Sequence, residues 1–193
     1  MLVIGLSGKI GTGKSTLAGM LRERLPGAVI EAFADQIKAE AAQAFGFDLV
    51  LTRSELGKKT LVKLDPGQTW LTGRRVATVR ELLQWWGTDF RRKQNPDYWV
   101  WKMDHVLVAH LQAHVPAVII DDVRFENEAA MVLSWQHGQL FRLDPYPDWQ
   151  PGPNAGHVSE TMLDAFGLFT NRFAPTFNGL DAVADRIVAM VGI

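Results

Sequence analysis

Nine residues near the amino end, GKIGTGKST from Gly8 to Thr16, restrict this chain more than any other feature. They follow an apolar run, Leu2 to Leu6, that is closed by Ser7-Gly8 and has the pattern of a strand buried on both faces of a parallel sheet. They precede Ser15 to Leu25, where Leu17, Met20, Leu21 and Leu25 recur at helical spacing before Pro26-Gly27 ends the pattern. Gly8, Gly13, Lys14 and Ser15 thus satisfy G-x-x-x-x-G-K-[ST] between a strand and a helix, the context that a phosphate-binding loop requires. Gly8, Gly11 and Gly13 let successive backbone amides turn inward, and the helix N-terminus adds its partial positive charge. Lys14 supplies a full charge near the β and γ phosphates of ATP, and the Ser15 hydroxyl is a ligand for Mg²⁺. Lys9 and Thr12 lie in the same loop at positions the pattern leaves free, which makes them weaker ATP-binding candidates.

The rest of the chain alternates strand and helix signals. Ala28 to Phe33 reads as a strand and Asp35 to Phe45 as a helix ending at Gly46. Val79 to Trp86 reads as a short helix stopped by Gly87, and Asp97 to His114 as a longer one after Pro96. Ala117 to Ile120 is a strand core ending in Asp121-Asp122, followed by a helix over Glu126 to Gln136 and a strand over Gln139 to Leu143. A terminal helix, opened by an Asn178-Gly179 turn, places Leu180, Val183, Ile187 and Val191 on one face. This βαβα order predicts an α/β fold of three layers, a mainly parallel sheet with helices on both faces. The expected organisation is one domain over 1–193, with an irregular acceptor-side excursion around 48–78 and a lid loop around 144–160. Within that loop, Asp144 to Gly156 carries four prolines and two glycines.

Composition excludes several classes. With 20 Lys plus Arg against 21 Asp plus Glu, nothing overall advertises a polyanion partner, so no nucleic-acid polymer is expected. The absence of cysteine removes thiolate metal sites and cysteine nucleophiles. No run reaches the roughly 18 apolar residues of a membrane span, and no basic leader or cleavage site precedes the first strand, so the expectation is a cytoplasmic protein without a membrane partner. His105, His110 and His114 include an i, i+4 pair, but no H-E-x-x-H pattern accompanies them, and a solvated face is the better reading.

A phosphate loop alone does not define an acceptor. No N-K-x-D tetrapeptide marks guanine recognition, which argues against a switch GTPase. Three polar segments fall where such a fold opens its crevice, at the carboxyl ends of strands. Ala34 to Lys38 follows the second strand, and Lys38 can reach a phosphate. Val79 to Gln84 with Gly87-Thr88-Asp89 and Tyr98-Trp99 offers the Arg80 guanidinium, a polar loop and aromatic faces. Ile120 to Glu128 follows a strand directly; there an aspartate at the strand end, Asp121 or Asp122, can hold the magnesium hydration shell or orient the acceptor oxygen, and Arg124 can neutralise charge that develops in transfer.

In this order behind the loop, these segments resemble the bacteriophage deoxynucleoside monophosphate kinases of the T-even type. The likeness covers SG-x-x-x-x-GK-x-T at Ser7 to Thr16, I-K at Ile37-Lys38, L-T-R at Leu51 to Arg53 and V-R-x-L-x-Q-x-x-GTD at Val79 to Asp89. It continues through YWV at Tyr98 to Val100, D-x-R-x-x-x-E at Asp122 to Glu128 and H-x-x-E at His157 to Glu160. The resemblance implies a P-loop nucleoside monophosphate kinase fold that transfers the γ-phosphoryl group of ATP to a dNMP. By matching position, Lys14, Ser15 and Thr16 would serve ATP and Mg²⁺, while Ile37, Lys38, Arg80, Gly87, Trp99, Asp122, Arg124 and Glu128 would line the dNMP site. Thr88 and Lys63 join that set as acceptor-side candidates, and Lys14, Arg80, Asp122 and Arg124 are the candidate catalytic residues. A homodimer and a viral setting, in host cytoplasm, are further expectations of the likeness. Two rival readings stand beside it: a kinase for another small acceptor or for a modified base in DNA, and an ATP-binding ATPase without an acceptor.

Overall fold

In the computed structural model, which describes residues 1–151, 158–176 and 179–192, the chain runs through strands β1 (Leu2–Gly8), β2 (Val29–Glu31), β3 (Leu61–Lys63), β4 (Val76–Thr78), β5 (Ala117–Ile120), β6 (Gly138–Leu143) and β7 (Asn171–Phe173). The helices are α1 (Lys14–Arg24), α2 (Phe33–Phe45), α3 (Glu55–Lys58), α4 (Pro66–Thr72), α5 (Val79–Gln84), α6 (Tyr98–Gln112), α7 (Glu126–Ser134), α8 (Val158–Thr161) and α9 (Leu180–Val191). They gather into two compact units, one of residues 1–33 with 103–193 and one of residues 34–102.

The first unit is built on a five-stranded sheet in the order β2-β5-β1-β6-β7, every pairing parallel. β1 lies at its centre, and its Leu2 to Ser7 are buried on both faces, as the uninterrupted apolar run requires. On one face Leu2, Ile4 and Leu6 pack with Leu17 and Leu21 of α1 and Val183 and Ile187 of α9. On the other face Gly5 is forced by packing: a Cβ there would come within 2.8 Å of Leu140 and 3.2 Å of Val123. The expected three-layer α/β fold with a mainly parallel sheet is the one observed.

The second unit holds the stretch whose sequence shows little periodicity. β3 and β4 pair antiparallel, Lys63 opposite Val76. Local capping organises the segment: Asp48 accepts from Val50 N, Ser54 from Gly57 N and Asp65 from Gln68 N. Thr78 and Glu81 close a reciprocal capping box at the start of α5.

One expectation is overturned here. Gly87 does not stop a helix; α5 runs on into a π-helical segment over Trp85–Arg92. Gly87 is buried inside it, where a Cβ would stand 3.1 Å from Ile37, so this glycine permits close packing. The indole N–H of the fully buried Trp99 donates to its carbonyl at 2.9 Å. A second polar centre lies nearby on α2. Glu40 accepts from Arg91 Nε at 2.7 Å, Trp86 Nε1 at 3.1 Å and the Tyr98 hydroxyl at 2.8 Å, and pairs with Lys102. The Arg91 guanidinium lies over the Trp86 and Tyr98 rings, 4.6 and 4.7 Å from their centroids.

Candidate active site

The turn between β1 and α1 needs the left-handed backbone that glycine supplies. Gly11 and Gly13 take φ of 80° and 90°. Gly8, at φ 151°, also lies so close to β6 that a Cβ would sit 2.5 Å from the Leu143 carbonyl oxygen. Thr12 Oγ1 donates to the Lys9 carbonyl at 2.8 Å, and Lys14 Nζ donates to the carbonyls of Gly8 and Lys9, both at 2.8 Å. Lys14 is only 8% exposed. Burial first and the Arg124 guanidinium second push its ammonium down to about 8, against the pull of Glu160, Asp121 and Asp122.

The carboxylates that follow β5 divide their work. Ser15 Oγ donates to Asp121 Oδ2 at 2.6 Å, whereas Asp122 Oδ1 accepts the Phe33 backbone N–H at 2.8 Å. The sequence reading sends Asp122 to the metal; the carboxylate against Ser15 is Asp121. These two oxygens suit Mg²⁺, which is held by one or two protein oxygens together with substrate phosphates. Among the described residues no group of three or more His, Cys, Asp or Glu gathers to form a protein cage for a metal. His110 instead pairs its ring Nε2 with Glu31 at 2.7 Å.

Arg124 is engaged on both its ends. Its backbone N–H is accepted by Glu128 at 2.8 Å, and its guanidinium is paired with Glu160. Glu128 is buried and also accepts from Phe125 N at 3.1 Å, so it fixes the turn that carries Arg124 into α7. Lys9 Nζ reaches the Glu160 carbonyl at 2.6 Å and Asp164 at 2.5 Å. Asp164 also accepts from Arg142 at 2.5 Å. Desolvation raises the Asp164 carboxyl, but the hydrogen bonds and charges of Lys9 and Arg142 outweigh it and hold the group below its usual range.

A cavity of about 470 Å³ adjoins the loop, lined by Thr12, Gly13 and Thr16 together with Tyr146, Thr176 and Leu180. This is the size of a site for a small organic ligand.

The first unit therefore brings together Lys9, Thr12, Lys14, Ser15, Asp122, Arg124 and Glu128 of the sequence-predicted residues, with Thr16 on the cavity. Within the second unit Ile37, Gly87 and Trp99 are neighbours. Arg80 is paired with Glu55 and Lys38 with Asp35, while Lys63 stands exposed on β3 and Thr88 half-buried in the π-helical segment. Tyr146 and Thr176, which line the cavity, stand outside the predicted set, as do Asp121, which the sequence reading ranks behind Asp122, and Glu160. Asp121 had a signal in its place at a strand end and Glu160 one in the H-x-x-E block; Tyr146 and Thr176 come from loops that no motif describes. His157, the Asn178 turn and residues 152–157 of the expected lid lie outside the described residues.

No family model matches the chain, so the T-even resemblance rests on its motifs. The chain is 29% identical over 174 residues to a protein of Acanthamoeba polyphaga mimivirus provisionally named a deoxynucleotide monophosphate kinase, an alignment covering 84% of this chain and 82% of that one. Among solved structures it is similar to the tunicamycin resistance protein of Deinococcus radiodurans, with a TM-score of 0.52, 20% identity and coverage of 100% and 96% of the two chains. The protein TT1252 of Thermus thermophilus also matches at a TM-score of 0.52, with 16% identity and coverage of 100% and 97%. These likenesses establish the fold. No helix among the described residues is long and apolar enough to cross a membrane.

Proposed function

We propose that this chain is an ATP-dependent phosphotransferase whose acceptor is a deoxynucleoside monophosphate, giving dNDP and ADP. The observation that carries the reading is the convergence of Lys14, the Ser15–Asp121 pair and Arg124 at the carboxyl ends of β1 and β5. Phosphoryl transfer asks little covalent chemistry of a protein; it asks for positioning and for charge placed where oxygens develop it. The loop amides and Lys14 would hold the ATP phosphates, and Arg124 would neutralise charge on the group in transit. Ser15 and Asp121 would hold Mg²⁺, which when bound neutralises phosphate charge. Thr16 and the adjoining cavity would take the nucleoside end of ATP.

The deoxynucleotide acceptor is supported by the motif order of the sequence and by the name given to the mimivirus relative. On the acceptor side the resemblance points into the second unit, where Trp99 anchors Gly87 against Ile37. Trp99 is closed in and would act by holding that turn. The experiment is a coupled ADP-release assay across dNMPs, nucleosides, small alcohols and DNA. Stimulation by dNMPs alone is the expected result, and an ATPase rate indifferent to every dNMP removes the reading.

A second acceptor, a modified base within DNA, is favoured by the charge of one segment. Residues 53–81 carry seven Lys and Arg against three Asp and Glu, and Trp70 there is 86% exposed. An excess of cations and an exposed indole within one segment suit single-stranded nucleic acid. Turnover on DNA that falls steeply with salt would select this acceptor.

A further inference from the structure

Glu160 is a carboxylate with 7% of its surface exposed, carried by the four-residue α8. Its two oxygens serve donors from distant parts of the chain. Oε2 accepts the Ile10 backbone N–H at 2.7 Å, inside the phosphate loop, and Oε1 accepts the Arg124 guanidinium. Its own carbonyl takes Lys9 Nζ at 2.6 Å. A loop amide, an arginine and a lysine thus meet at one residue.

A carboxylate that bridges a main-chain N–H and a guanidinium offers two anionic oxygens to two donors, as a phosphoryl group does. Ile10 N–H belongs to the loop whose amides receive phosphate oxygens, and Arg124 is the guanidinium assigned to charge in transit. Glu160 and a terminal phosphoryl group therefore draw on the same donors.

We infer that Glu160 is a positioning residue that stands in for a phosphoryl group, holding the Ile10 amide and Arg124 in place and yielding both to the terminal phosphate of the donor. The inference rests on the phosphotransfer reading above. It has two consequences of opposite sign. The carboxylate competes with phosphate and repels it, so removal of its charge strengthens phosphate binding. It also orients Arg124, so the same removal slows transfer. A residue that merely fastens α8 to the loop would produce neither pairing of effects; its loss would lower stability and weaken binding.

The test uses the full chain and its variants Glu160→Gln and Glu160→Asp, with binding of magnesium tripolyphosphate and of Mg·ATP read by calorimetry and turnover read in parallel. Glu160→Gln should bind both compounds about three- to tenfold tighter while kcat falls about tenfold, so that KM and kcat drop together. Added to Arg124→Ala, the Gln substitution should cost less than about twofold more in kcat, since the two residues act as one unit. Glu160→Asp keeps the charge but is one methylene too short to span both donors; it should lose kcat severalfold, and it carries the test if Glu160→Gln does not fold. Unchanged or weaker tripolyphosphate binding by folded Glu160→Gln, or wild-type kcat in Glu160→Asp, overturns the inference and leaves the phosphotransfer reading intact. Failure of the wild-type chain to bind either compound removes both.

Discussion

Ser15 Oγ donates a 2.6 Å hydrogen bond to Asp121 Oδ2, joining the first turn of α1 to the residue just beyond β5. The pairing distinguishes the two adjacent aspartates by partner, since Asp122 accepts the Phe33 backbone N–H. Asp121→Asn should raise the Mg²⁺ concentration needed for half-maximal turnover and lower kcat about a hundredfold, the size of losing one positioned charge at a phosphoryl site. Asp122→Asn keeps an acceptor for Phe33 N–H and should leave the Mg²⁺ requirement within about threefold of wild type, the small effect of a change that removes no metal ligand. Magnesium titrations of both variants check this, and the reverse ranking would return the metal to Asp122.

Burial and Arg124 bring the Lys14 ammonium down to about 8. Bound polyphosphate favours the charged ammonium and so raises that value. Binding of Mg·ATP near pH 8 should therefore take up protons, and affinity should decline as pH rises above 8. Calorimetry in two buffers of different ionisation enthalpy measures the uptake directly. In Lys14→Arg, which stays charged throughout, the uptake should vanish; uptake that persists would mean another group titrates.

The same depressed value has a cost in stability. In the unfolded chain a lysine keeps its ordinary value near 10.4, so at neutral pH the folded chain carries an ammonium that burial disfavours, and this penalty is relieved only as pH rises from about 8 toward 10.4. Lys14→Met removes the charge and takes the ammonium from the Gly8 carbonyl, while the Lys9 carbonyl keeps the Thr12 hydroxyl. The gross gain of about 3 kcal/mol, set against about 1–3 kcal/mol for the one carbonyl that loses this donor, leaves a net gain of about 0–2 kcal/mol. Differential scanning calorimetry at pH 7 should show a Tm higher by a few degrees in a variant without turnover. A lower Tm would mean that the carbonyl contacts dominate.

The sheet, the phosphate loop and its flanking helix were legible because each obeys a strong local rule: β1 is apolar throughout, and Gly8, Gly11 and Gly13 occur where the backbone turns left-handed or approaches Leu143. Residues 48–78 were not, because three-residue strands and helices of four to seven residues are too short to show a period. Their order comes from Asp48, Ser54, Asp65 and Thr78, each capping the backbone turn on its carboxyl side. Gly87 misled for a related reason: a glycine in a helical pattern can end it or allow close packing, and only the presence of Ile37 decides between the two. Asp121 and Asp122 are equivalent as sequence; which one meets Ser15 depends on the pitch of the turn after β5.

Glu40 gives the second unit a charged centre whose loss should be felt as stability. Desolvation raises its carboxyl, yet the hydrogen bonds of Lys102 and Tyr98 and the charge of Arg91 outweigh this and hold it below the usual range. A depressed carboxyl contributes stability that is present above its unfolded value near 4.3 and lost as pH falls through the folded one. Glu40→Gln leaves Arg91 and Lys102 without their counter-charge and should cost about 2–4 kcal/mol at pH 7. Denaturant melts at pH 7 and pH 3 measure both effects: the gap between wild type and variant should shrink in acid. An equal gap at both values would place the contribution in packing.

The cavity beside the loop makes a separable claim about the donor, because the phosphates and the nucleoside of ATP would touch different residues. Thr176 is exposed and lines that cavity together with Thr12 and Thr16. An indole at this position would project into the cavity of about 470 Å³ and occupy part of it, while residue 176 itself lies outside β1 and α1. Thr176→Trp should therefore weaken Mg·ATP binding by about tenfold or more, the loss of roughly 1.4 kcal/mol or more of contact with the nucleoside end. Magnesium tripolyphosphate, which has no nucleoside, should bind within about twofold of wild type, since the donors that hold phosphate are untouched. Parallel calorimetric titrations of the two compounds read the difference. Equal weakening of both would mean that the substitution disturbs the loop itself, and unchanged ATP binding would move the nucleoside to another wall of the protein.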